Sequence, residues 1–529
     1  MDFMRELNTE INNMKTLTEN GAIAYASSGK RLLDFNFRIT DLRTSTEEQI
    51  AKDFAKVFFE DRLIAMKYLF YLSDVREGLG ERHIFKSCIN WLCDKHPEYA
   101  RKVLCLIPEY SRWDNLAFLI DNKNVSEEVV NIIARQLTED IRNMSDGKPI
   151  SLCAKWMPSE NTSCIQTRKL ANTFIKKLNL TPRKYRKTLS SLRSYLKIVE
   201  STMSSNNWSE IDYESVPSMA NIKYSNAFLR HDEERRRKYL SELKSGNVKI
   251  NASVAQPHDI VSKYTTGWVV KSHIDETLEA MWKSLKDITT KNTLVVRDGS
   301  GSMTCSISNS KATALHVATA LAIYCSEHTT GGFKDKFITF SANPEFVDMS
   351  NCSTLHDKLE LCYTYDDCSN TNIEKTMQLI LNTAISNNMS QEDLPDTILI
   401  ISDMQFDSRR SSYHWNESLF DSISRDFISA GYKMPKICFW NLCGRDAQTI
   451  PMQKNELGLI LCSGFSINNL KMFMSGDIDP YKILLDIINS ERYNKVEELL
   501  NKQYGLYRLY KSHFLHKLRH VQQLLQVVK

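Results

Sequence analysis

The pattern of apolar residues changes near residue 290, and this change constrains the fold more than any other feature of the sequence. Five short, strongly apolar runs follow it: NTLVVRD, DKFITFS, DTILIISD, KICFWNL and LGLILCS. Helical stretches such as SKATALHVATALAIYCSEH lie between them. Strands that are apolar on both faces and alternate with helices are typical of a parallel sheet covered by helices on both sides. We therefore predict a doubly wound, parallel-sheet α/β domain.

The first 250 residues show the pattern of a helical protein instead. Apolar residues recur at three- and four-residue steps in segments such as IAKDFAKVFFEDRLIAMKYLFYLSDV and SEEVVNIIARQLTEDIRNM. Short turns with Gly, Pro, Asp or Asn separate these segments. Successive amphipathic helices with short links predict an α-helical, HEAT-like repeat array, which could close into a ring. The repeats have no clean fixed period.

The length and the change of pattern together predict a multidomain protein. A chain of 529 residues is too long for one hydrophobic core. We expect an α-helical repeat domain over residues 1–285, an α/β domain over 286–475 and a helical C-terminal extension over 476–529. No apolar run approaches the roughly 18 residues of a membrane span. The 13 cysteines lack zinc-finger spacing, so we expect reduced thiols in a cytoplasmic protein that does not enter membranes.

The turn after the first apolar run carries candidate metal ligands. Asp298, Ser300 and Ser302 alternate in VVRDGSGSM. Ligands gather at the carboxyl ends of strands in an open parallel sheet. One carboxylate and two hydroxyls are hard oxygen ligands, which suit Mg²⁺ or Mn²⁺ rather than zinc. Glycine–serine turns also occur without any ligand, and the turn alone does not decide between the two interpretations.

Two further loops add oxygen ligands. ILIISDMQFD ends another strand at Asp403, and Thr371 in DDCSNTNIEKTM precedes a helix between the two strands. With Asp298, Ser300 and Ser302, this order resembles the metal-ion-dependent adhesion site of the von Willebrand factor A domain. In that family the serines and the threonine contact the ion, and the aspartates hold it directly or through water. The resemblance, over residues 290–470, implies Mg²⁺ (or Mn²⁺) with one position open to a carboxylate of an acidic protein ligand.

Positive charge is concentrated in one segment. The net charge is only +4, but residues 161–250 hold 18 Lys and Arg against 8 Asp and Glu, a net charge of +10. The candidate basic residues lie between residues 168 and 197, which we call the basic run, and Tyr185 and Tyr195 lie within it. Basic side chains with interleaved aromatic rings suit phosphates and stacked bases, whereas the alternative is a solvated helix surface that is merely basic. The candidate RNA-binding residues are Arg168, Lys169, Lys176, Lys177, Arg183, Lys184, Arg186, Lys187, Arg193 and Lys197.

A helical-repeat array followed by a von Willebrand A domain resembles the Ro (TROVE) proteins. In that family the helical repeats close into a ring, whose basic surfaces bind single-stranded ends of misfolded RNAs and small structured RNAs. LSDVREGLGERHIF, AKWMPSENTSC and neighbouring stretches resemble more closely an uncharacterised, domain-of-unknown-function family of the same layout. The resemblance to Ro implies a non-enzymatic RNA-binding scaffold, either monomeric or part of a ribonucleoprotein or larger particle.

Two other functions stay open at this point. A protein–protein adaptor, or a structural component of a larger particle such as a viral one, would use the metal site and the helical surface without RNA. A metal-dependent hydrolase would use Asp298 and Asp403. The sequence lacks the GxSxG and GxxxxGK[ST] motifs, and serines two and four positions after Asp298 suit metal ligation better than phosphoryl transfer. We therefore expect no enzymatic activity.

Overall fold

The computed structural model describes residues 15–17, 23–25, 27–266, 269–307, 312–341, 343–365, 373–404, 419–443, 459–474 and 479–501. The chain divides into two compact units, each built from separate stretches of sequence. We call Met1–Arg62 with Tyr213–Ile488 the sheet unit, and Leu63–Asp212 with Asn489–Lys529 the helical unit. The domain limits at residues 285 and 475 stay predictions.

The strands all lie in the sheet unit. In chain order they are β1 (Lys15–Leu17), β2 (Ile23–Tyr25), β3 (Thr265–Thr266), β4 (Val269–Val270), β5 (Thr293–Asp298), β6 (Lys336–Phe340), β7 (Phe346–Asp348), β8 (Thr397–Ser402), β9 (Lys436–Asn441) and β10 (Leu459–Ser463). β1 pairs with β2, and β3 pairs with β4, in two short antiparallel hairpins. The other six form one sheet in the order β10-β9-β8-β5-β6-β7.

This six-stranded sheet is parallel except for its edge strand β7, which pairs antiparallel with β6. After β5 the chain first adds β6 on one side and later adds β8 to β10 on the other. The strand order therefore reverses between β5 and β8, which is where ligands bind in open parallel sheets. The five strands predicted from the apolar runs are confirmed. β7 was not predicted.

Helices lie on both faces of the sheet. Leu294 and Val296 of β5 join one apolar core with Met377 of the helix Ile373–Ser386 and Phe427 of the helix Leu419–Ser429. On the opposite face, the side chain of Arg297 donates to Thr319 Oγ1, in the helix Ala314–Glu327, at 3.0 Å. Both faces of the sheet are therefore buried, and the predicted fold class, an α-helical region followed by a doubly wound α/β domain, is confirmed.

The sheet unit also contains helices from both ends of the sequence. They are Arg31–Phe37, Ile39–Leu42, Glu47–Glu60, Ser218–His231, Glu233–Lys244, Pro257–Tyr264, Glu276–Lys283, Ala314–Glu327, Leu355–Tyr363, Ile373–Ser386, Leu419–Ser429, Lys471–Met474 and Pro480–Ile488, with 3₁₀ turns at Gly301–Thr304, Gly331–Phe333, Gln391–Asp393 and Ile467–Leu470. The first two helices lie at the carboxyl ends of β9 and β10. Asn441 Nδ2 donates to Phe37 O at 3.3 Å, and Thr40 N donates to Ser463 Oγ at 3.3 Å.

The helical unit is built from short and medium-length helices. They are Arg62–Ser73, Arg82–Lys95, Pro97–Val103, Ile107–Tyr110, Trp113–Ala117, Ser126–Ser145, Cys153–Trp156, Ile165–Lys177, Pro182–Tyr195, Val199–Ser204 and Asn494–Asn501, with 3₁₀ turns at Leu104–Leu106, Phe118–Asp121, Trp208–Glu210 and Glu491–Tyr493. No helix in the described parts of the chain is long and apolar enough to cross a membrane.

A tight turn follows the first helix of this unit. Gly78 N donates to Asp74 O at 3.1 Å, and Leu79 N donates to Tyr71 O at 3.0 Å. A Cβ atom at Gly78 would lie 2.0 Å from Tyr71 O, closer than any side chain can approach a backbone oxygen. Glycine is therefore required here for the close approach of two backbone segments.

The C-terminal residues of the described chain pack into the same unit. Arg492 donates to Asp74 through Nε and Nη2, and Lys67 Nζ lies 2.6 Å from Glu497 Oε2. Lys102 Nζ donates to Leu500 O at 2.6 Å. The helix Asn494–Asn501 is thus fixed to helices that lie roughly 400 residues earlier in the sequence.

Candidate metal site and candidate nucleic-acid interface

The carboxyl end of β5 holds three of the predicted metal ligands within hydrogen-bonding distance of one another. Asp298 is fully buried, and its Oδ1 accepts a hydrogen bond from Ser300 N at 2.9 Å. Ser300 Oγ and Ser302 Oγ lie 2.8 Å apart. The alternation of Asp298, Ser300 and Ser302 in the sequence therefore does gather one carboxylate and two hydroxyls in a small volume.

The neighbouring strand β8 ends beside this turn. Ser402, its last residue, donates from Oγ to Asp298 Oδ2 at 2.5 Å, and Met404 N donates to Ser402 Oγ at 3.1 Å. Asp403 follows and is 1% exposed. Met404 has a φ of 64°, the left-handed region that a non-glycine residue rarely adopts. Strained backbone of this kind is enriched at functional sites, where the surrounding structure holds it in place.

Two buried carboxylates, those of Asp298 and Asp403, interact electrostatically at this edge of the sheet. Burial, and secondly the charge of Asp403, raise the pKa of Asp298 to about 7, although hydrogen bonds from Ser402 and Ser300 oppose the rise. A divalent cation between the two groups would favour the charged form of both. Hard oxygen donors of this kind fit Mg²⁺ or Mn²⁺.

The remaining predicted ligand, Thr371, lies outside the described residues. No group of three or more His, Cys, Asp or Glu side chains with metal-site geometry occurs in the described part of the chain. The set at this edge combines only two carboxylates with hydroxyls, which suits an ion that keeps several waters. The assignment of these residues as metal ligands stays a prediction.

Two residues at this site were not predicted. Ser402 ends β8, and its hydrogen bond to Asp298 depends on β5 and β8 being neighbours, which the local sequence does not show. Arg297 is fully buried and donates to Cys362 O at 3.3 Å. The sequence could have indicated Arg297, because it is a charged residue within the otherwise apolar run of β5, and a charge buried in a strand needs partners.

The candidate RNA-binding residues lie on the helices Ile165–Lys177 and Pro182–Tyr195 and directly after the second of them. Thr181 Oγ1 accepts from Lys184 N at 3.2 Å and caps the helix, and Pro182 occupies the first turn. Tyr185 and Leu189 lie on the buried face of the helix.

A cleft of about 990 Å³ lies in the helical unit against this helix. Three of the predicted RNA-binding residues line it. A step of seven residues places Arg186 and Arg193 on one face of the helix, and Lys197 lies two residues beyond the end of the helix. Hydroxyl groups form much of the remaining lining, and they belong to Ser159, Ser190, Ser194, Ser201, Thr202 and Ser205. Glu160 and Glu210 also line the cleft, so its three cations exceed its two carboxylates by one. Cations and hydroxyl groups are the side chains that contact phosphate and sugar groups of nucleic acids.

The three cations of the cleft differ in the contacts that hold them. Arg193 donates to Ala154 O at 2.8 Å, Ser159 Oγ at 2.8 Å and Met157 O at 2.6 Å, so its guanidinium is fixed. Arg186 is paired with Glu160, which also lines the cleft. Lys197 is exposed and has a φ of 47°.

The other predicted RNA-binding residues lie outside the cleft lining. Most are exposed, and Lys184 is half-buried. Lys177 donates to Ile120 O at 2.9 Å and therefore also holds the structure together. The residues outside the lining are Arg168, Lys169, Lys176, Lys177, Arg183, Lys184 and Lys187.

The two tyrosines of the basic run are not equivalent. Tyr185 is buried and donates to Pro158 O at 2.8 Å, so its ring does not offer a stacking surface. Tyr195 is exposed and donates to Lys148 O at 3.0 Å.

Known proteins match both parts of the chain. Residues 292–503 match the family model described as Domain of unknown function (DUF7788), and residues 18–107 and 121–294 match the one described as Domain of unknown function (DUF2828). A protein of Acanthamoeba polyphaga mimivirus, described as Uncharacterized protein L728, is 32% identical over 521 residues, which cover 91% of this chain and 88% of the viral protein. The chain belongs to the family of this mimivirus protein. The expected membership of a domain-of-unknown-function family is confirmed.

Among solved structures, the crystal structure of the Deinococcus radiodurans RO (RSR) protein is similar, with a TM-score of 0.35 and 11% sequence identity. The similarity covers 86% of this chain and 93% of the bacterial one.

Proposed function

We propose that this protein is a non-enzymatic scaffold that binds single-stranded RNA through its helical unit and an acidic protein ligand through a Mg²⁺ site in its sheet unit. The observation that carries the RNA proposal is the cleft, which gathers Arg186, Arg193 and Lys197 with a set of hydroxyl groups. Exposed basic residues on the same and the preceding helix extend the positive surface.

The cleft supports phosphate binding through groups of different kinds. Arg193 is held by three hydrogen bonds, so little side-chain entropy is lost when it meets a phosphate. Arg186 would exchange Glu160 for the phosphate, and Lys197 is exposed to solvent. Ligand pockets in proteins span roughly 300–1,000 Å³, so a cleft of about 990 Å³ suits a few nucleotides of a single strand rather than a duplex.

The metal part of the proposal is supported by the edge formed by β5 and β8. Asp298, Ser300, Ser302 and Asp403, together with Thr371, would hold Mg²⁺ or Mn²⁺. The ion would supply positive charge between two buried carboxylates and an open position for a carboxylate of the partner. This chain's own residues orient that site: Ser402 and the backbone of Ser300 fix the Asp298 carboxylate.

Binding of a fluorescently labelled single-stranded RNA, measured by anisotropy at several salt concentrations, tests the RNA proposal. The affinity should fall steeply with salt, and the double variant Arg186→Glu with Lys197→Glu should weaken binding at least about tenfold and lower the slope of log affinity against log salt concentration by about 1.4 units, since about 0.7 is expected for each lost phosphate contact. The matched control carries Arg237→Glu with Lys238→Glu, on an exposed helix of the sheet unit, and changes the net charge equally.

Equal weakening in both double variants would show a diffuse charge effect and no role for the cleft. If wild-type protein shows no salt-sensitive binding at micromolar concentration, the RNA proposal is wrong. An adaptor that recruits proteins through the metal site, within a larger particle, would then be the better hypothesis.

A further inference from the structure

Two cysteine side chains from distant parts of the sequence meet at the carboxyl edge of the sheet. Cys305 Sγ and Cys443 Sγ lie 2.8 Å apart, although 138 residues separate them in the chain. Cys305 follows the 3₁₀ turn Gly301–Thr304, and Cys443 lies two residues beyond the end of β9. Their separation exceeds a disulfide bond length of about 2.05 Å by less than ~1 Å.

The backbone around both thiols is held by hydrogen bonds. Cys305 N donates to Ser302 O at 3.3 Å, and Cys305 O accepts from Ala314 N at 3.0 Å. Cys443 N donates to Asn441 Oδ1 at 3.1 Å. Leu442 N donates to Ser402 O at 3.0 Å. The two sulfurs are therefore brought together by the fold itself.

Both thiols are also reachable by small oxidants. Cys305 and Cys443 are partly exposed. In contrast, Cys325, Cys438 and Cys462 are buried in the core, and burial raises the pKa of Cys325 and Cys438, which keeps these thiols protonated. Reactive cysteines are accessible ones, so the pair at the sheet edge is the better target.

We propose that Cys305 and Cys443 are a redox modification site and form a reversible intramolecular disulfide on reaction with a peroxide. One thiolate attacks a peroxide oxygen, the O–O bond breaks, and a sulfenic acid and water form. The second thiolate attacks the sulfenic sulfur, the S–O bond breaks, and a disulfide and a second water form. The two thiols lose two electrons and two protons, and one hydrogen peroxide becomes two waters. Exchange with a small dithiol reverses the change.

The disulfide would lie at the same edge of the sheet as the candidate metal site, but its formation does not depend on that site. It would tie the loop after Ser302 to the loop after β9, on the two sides of the end of β8. Because Cys305 N donates a hydrogen bond to Ser302 O, the cross-link would restrict the turn that carries Ser300 and Ser302.

The test uses the full-length folded protein. It is treated with a small molar excess of hydrogen peroxide at neutral pH, alkylated, digested without reduction and analysed by mass spectrometry. We expect a peptide pair that joins Cys305 to Cys443, two hydrogens lighter than the sum of its parts and lost after dithiothreitol. The same cross-link should persist in Cys164→Ser, which removes an exposed cysteine of the helical unit, and disappear in Cys443→Ser.

Two outcomes would overturn the proposal. In one, Cys305 and Cys443 are both alkylated after a treatment that oxidises the exposed Cys164. In the other, they are oxidised to separate sulfinic acids and are never joined. Mapping of the wild-type protein decides between these results even if the variants fold poorly. Binding of Mg²⁺ or RNA is not part of the readout, so failure here leaves the proposed function untouched.

Discussion

Arg492 donates to both carboxylate oxygens of Asp74, a residue 418 positions earlier in the chain. Asp74 is fully buried and also accepts from Tyr493 OH at 3.2 Å. This ion pair joins the 3₁₀ turn Glu491–Tyr493, which precedes the last described helix, to the end of the helix Arg62–Ser73. The hydrogen bonds that Arg492 donates to Asp74 raise the pKa of Arg492 further above its usual range, so the guanidinium keeps its charge.

Arg492→Met should destabilise the protein by about 3 kcal/mol, because it leaves the buried carboxylate of Asp74 without its counter-charge. Urea denaturation followed by circular dichroism at pH 7 measures the change. Lys495→Met is the matched control: its bridge to Glu109, at 2.6 Å, joins two exposed side chains, and its loss should cost under about 1 kcal/mol. Equal effects of both variants would contradict the structural role of the Asp74 pair.

Gly78→Ala should destabilise the helical unit by about 3 kcal/mol or more, since the added Cβ would lie 2.0 Å from Tyr71 O and 3.0 Å from Asp74 O. Thermal unfolding and the yield of folded protein report the effect. Gly332→Ala is the control, because a Cβ there would meet no atom within 4 Å. A Gly78→Ala protein as stable as wild type would mean that the turn after the helix Arg62–Ser73 is built differently.

Asp41 makes the stability of the sheet unit depend on pH. Burial raises its pKa to about 6, although Arg38 and Thr40 act in the opposite direction. Since the pKa is raised on folding, protonation stabilises the folded state. This contribution is fully present below about pH 4 and is lost as the pH rises through about 6.

Asp41→Asn should therefore stabilise the protein at pH 7, by up to roughly 3 kcal/mol, and should have little effect near pH 4. Urea denaturation of both proteins between pH 4 and pH 8 measures the difference. A constant difference across this range would show that the effect of the substitution comes from packing and not from the charge.

Mn²⁺ binding tests the metal site, with titration followed by electron paramagnetic resonance. Wild-type protein should bind about one equivalent, and Asp403→Asn or Ser302→Ala should weaken binding at least about tenfold, because each would remove a candidate oxygen ligand of the ion. Ser306→Ala, an exposed serine of the same loop, is the control and should bind as wild type does. If wild type binds no Mn²⁺ at millimolar concentration, the adhesion-site hypothesis is wrong.

Local sequence pattern predicted the elements well and their long-range contacts poorly. The apolar runs of β5, β6, β8, β9 and β10 are recognisable because both faces of each strand are buried. β7 has three residues, of which only the middle one is buried, and such a short strand leaves no clear pattern. The contribution of Arg31–Phe37 to the sheet unit depends on contacts with residues about 400 positions later, which no local window contains.

In the candidate sites, too, local arrangements could be predicted from the sequence and long-range contacts could not. The spacing in the DGSGS turn predicted that Asp298, Ser300 and Ser302 would lie together, since the turn is local. Helical spacing also placed Arg186 and Arg193 on one face of a helix, whereas Lys197 lines the cleft from beyond the end of that helix. The sequence could not show that Arg193 donates three hydrogen bonds to the segment around Met157, because Met157 lies 36 residues earlier.

The interleaved origin of the sheet unit has a consequence for synthesis on the ribosome. Thr40 contacts Ser463, a residue 423 positions later, so the helix Ile39–Leu42 leaves the exit tunnel long before its partner strand exists. At a translation rate of about 5–20 residues per second, roughly 20–85 s pass between the synthesis of Thr40 and that of Ser463. During that time the backbone N–H of Thr40 lacks its native acceptor Ser463, and a chaperone that binds nascent chains could cover this segment.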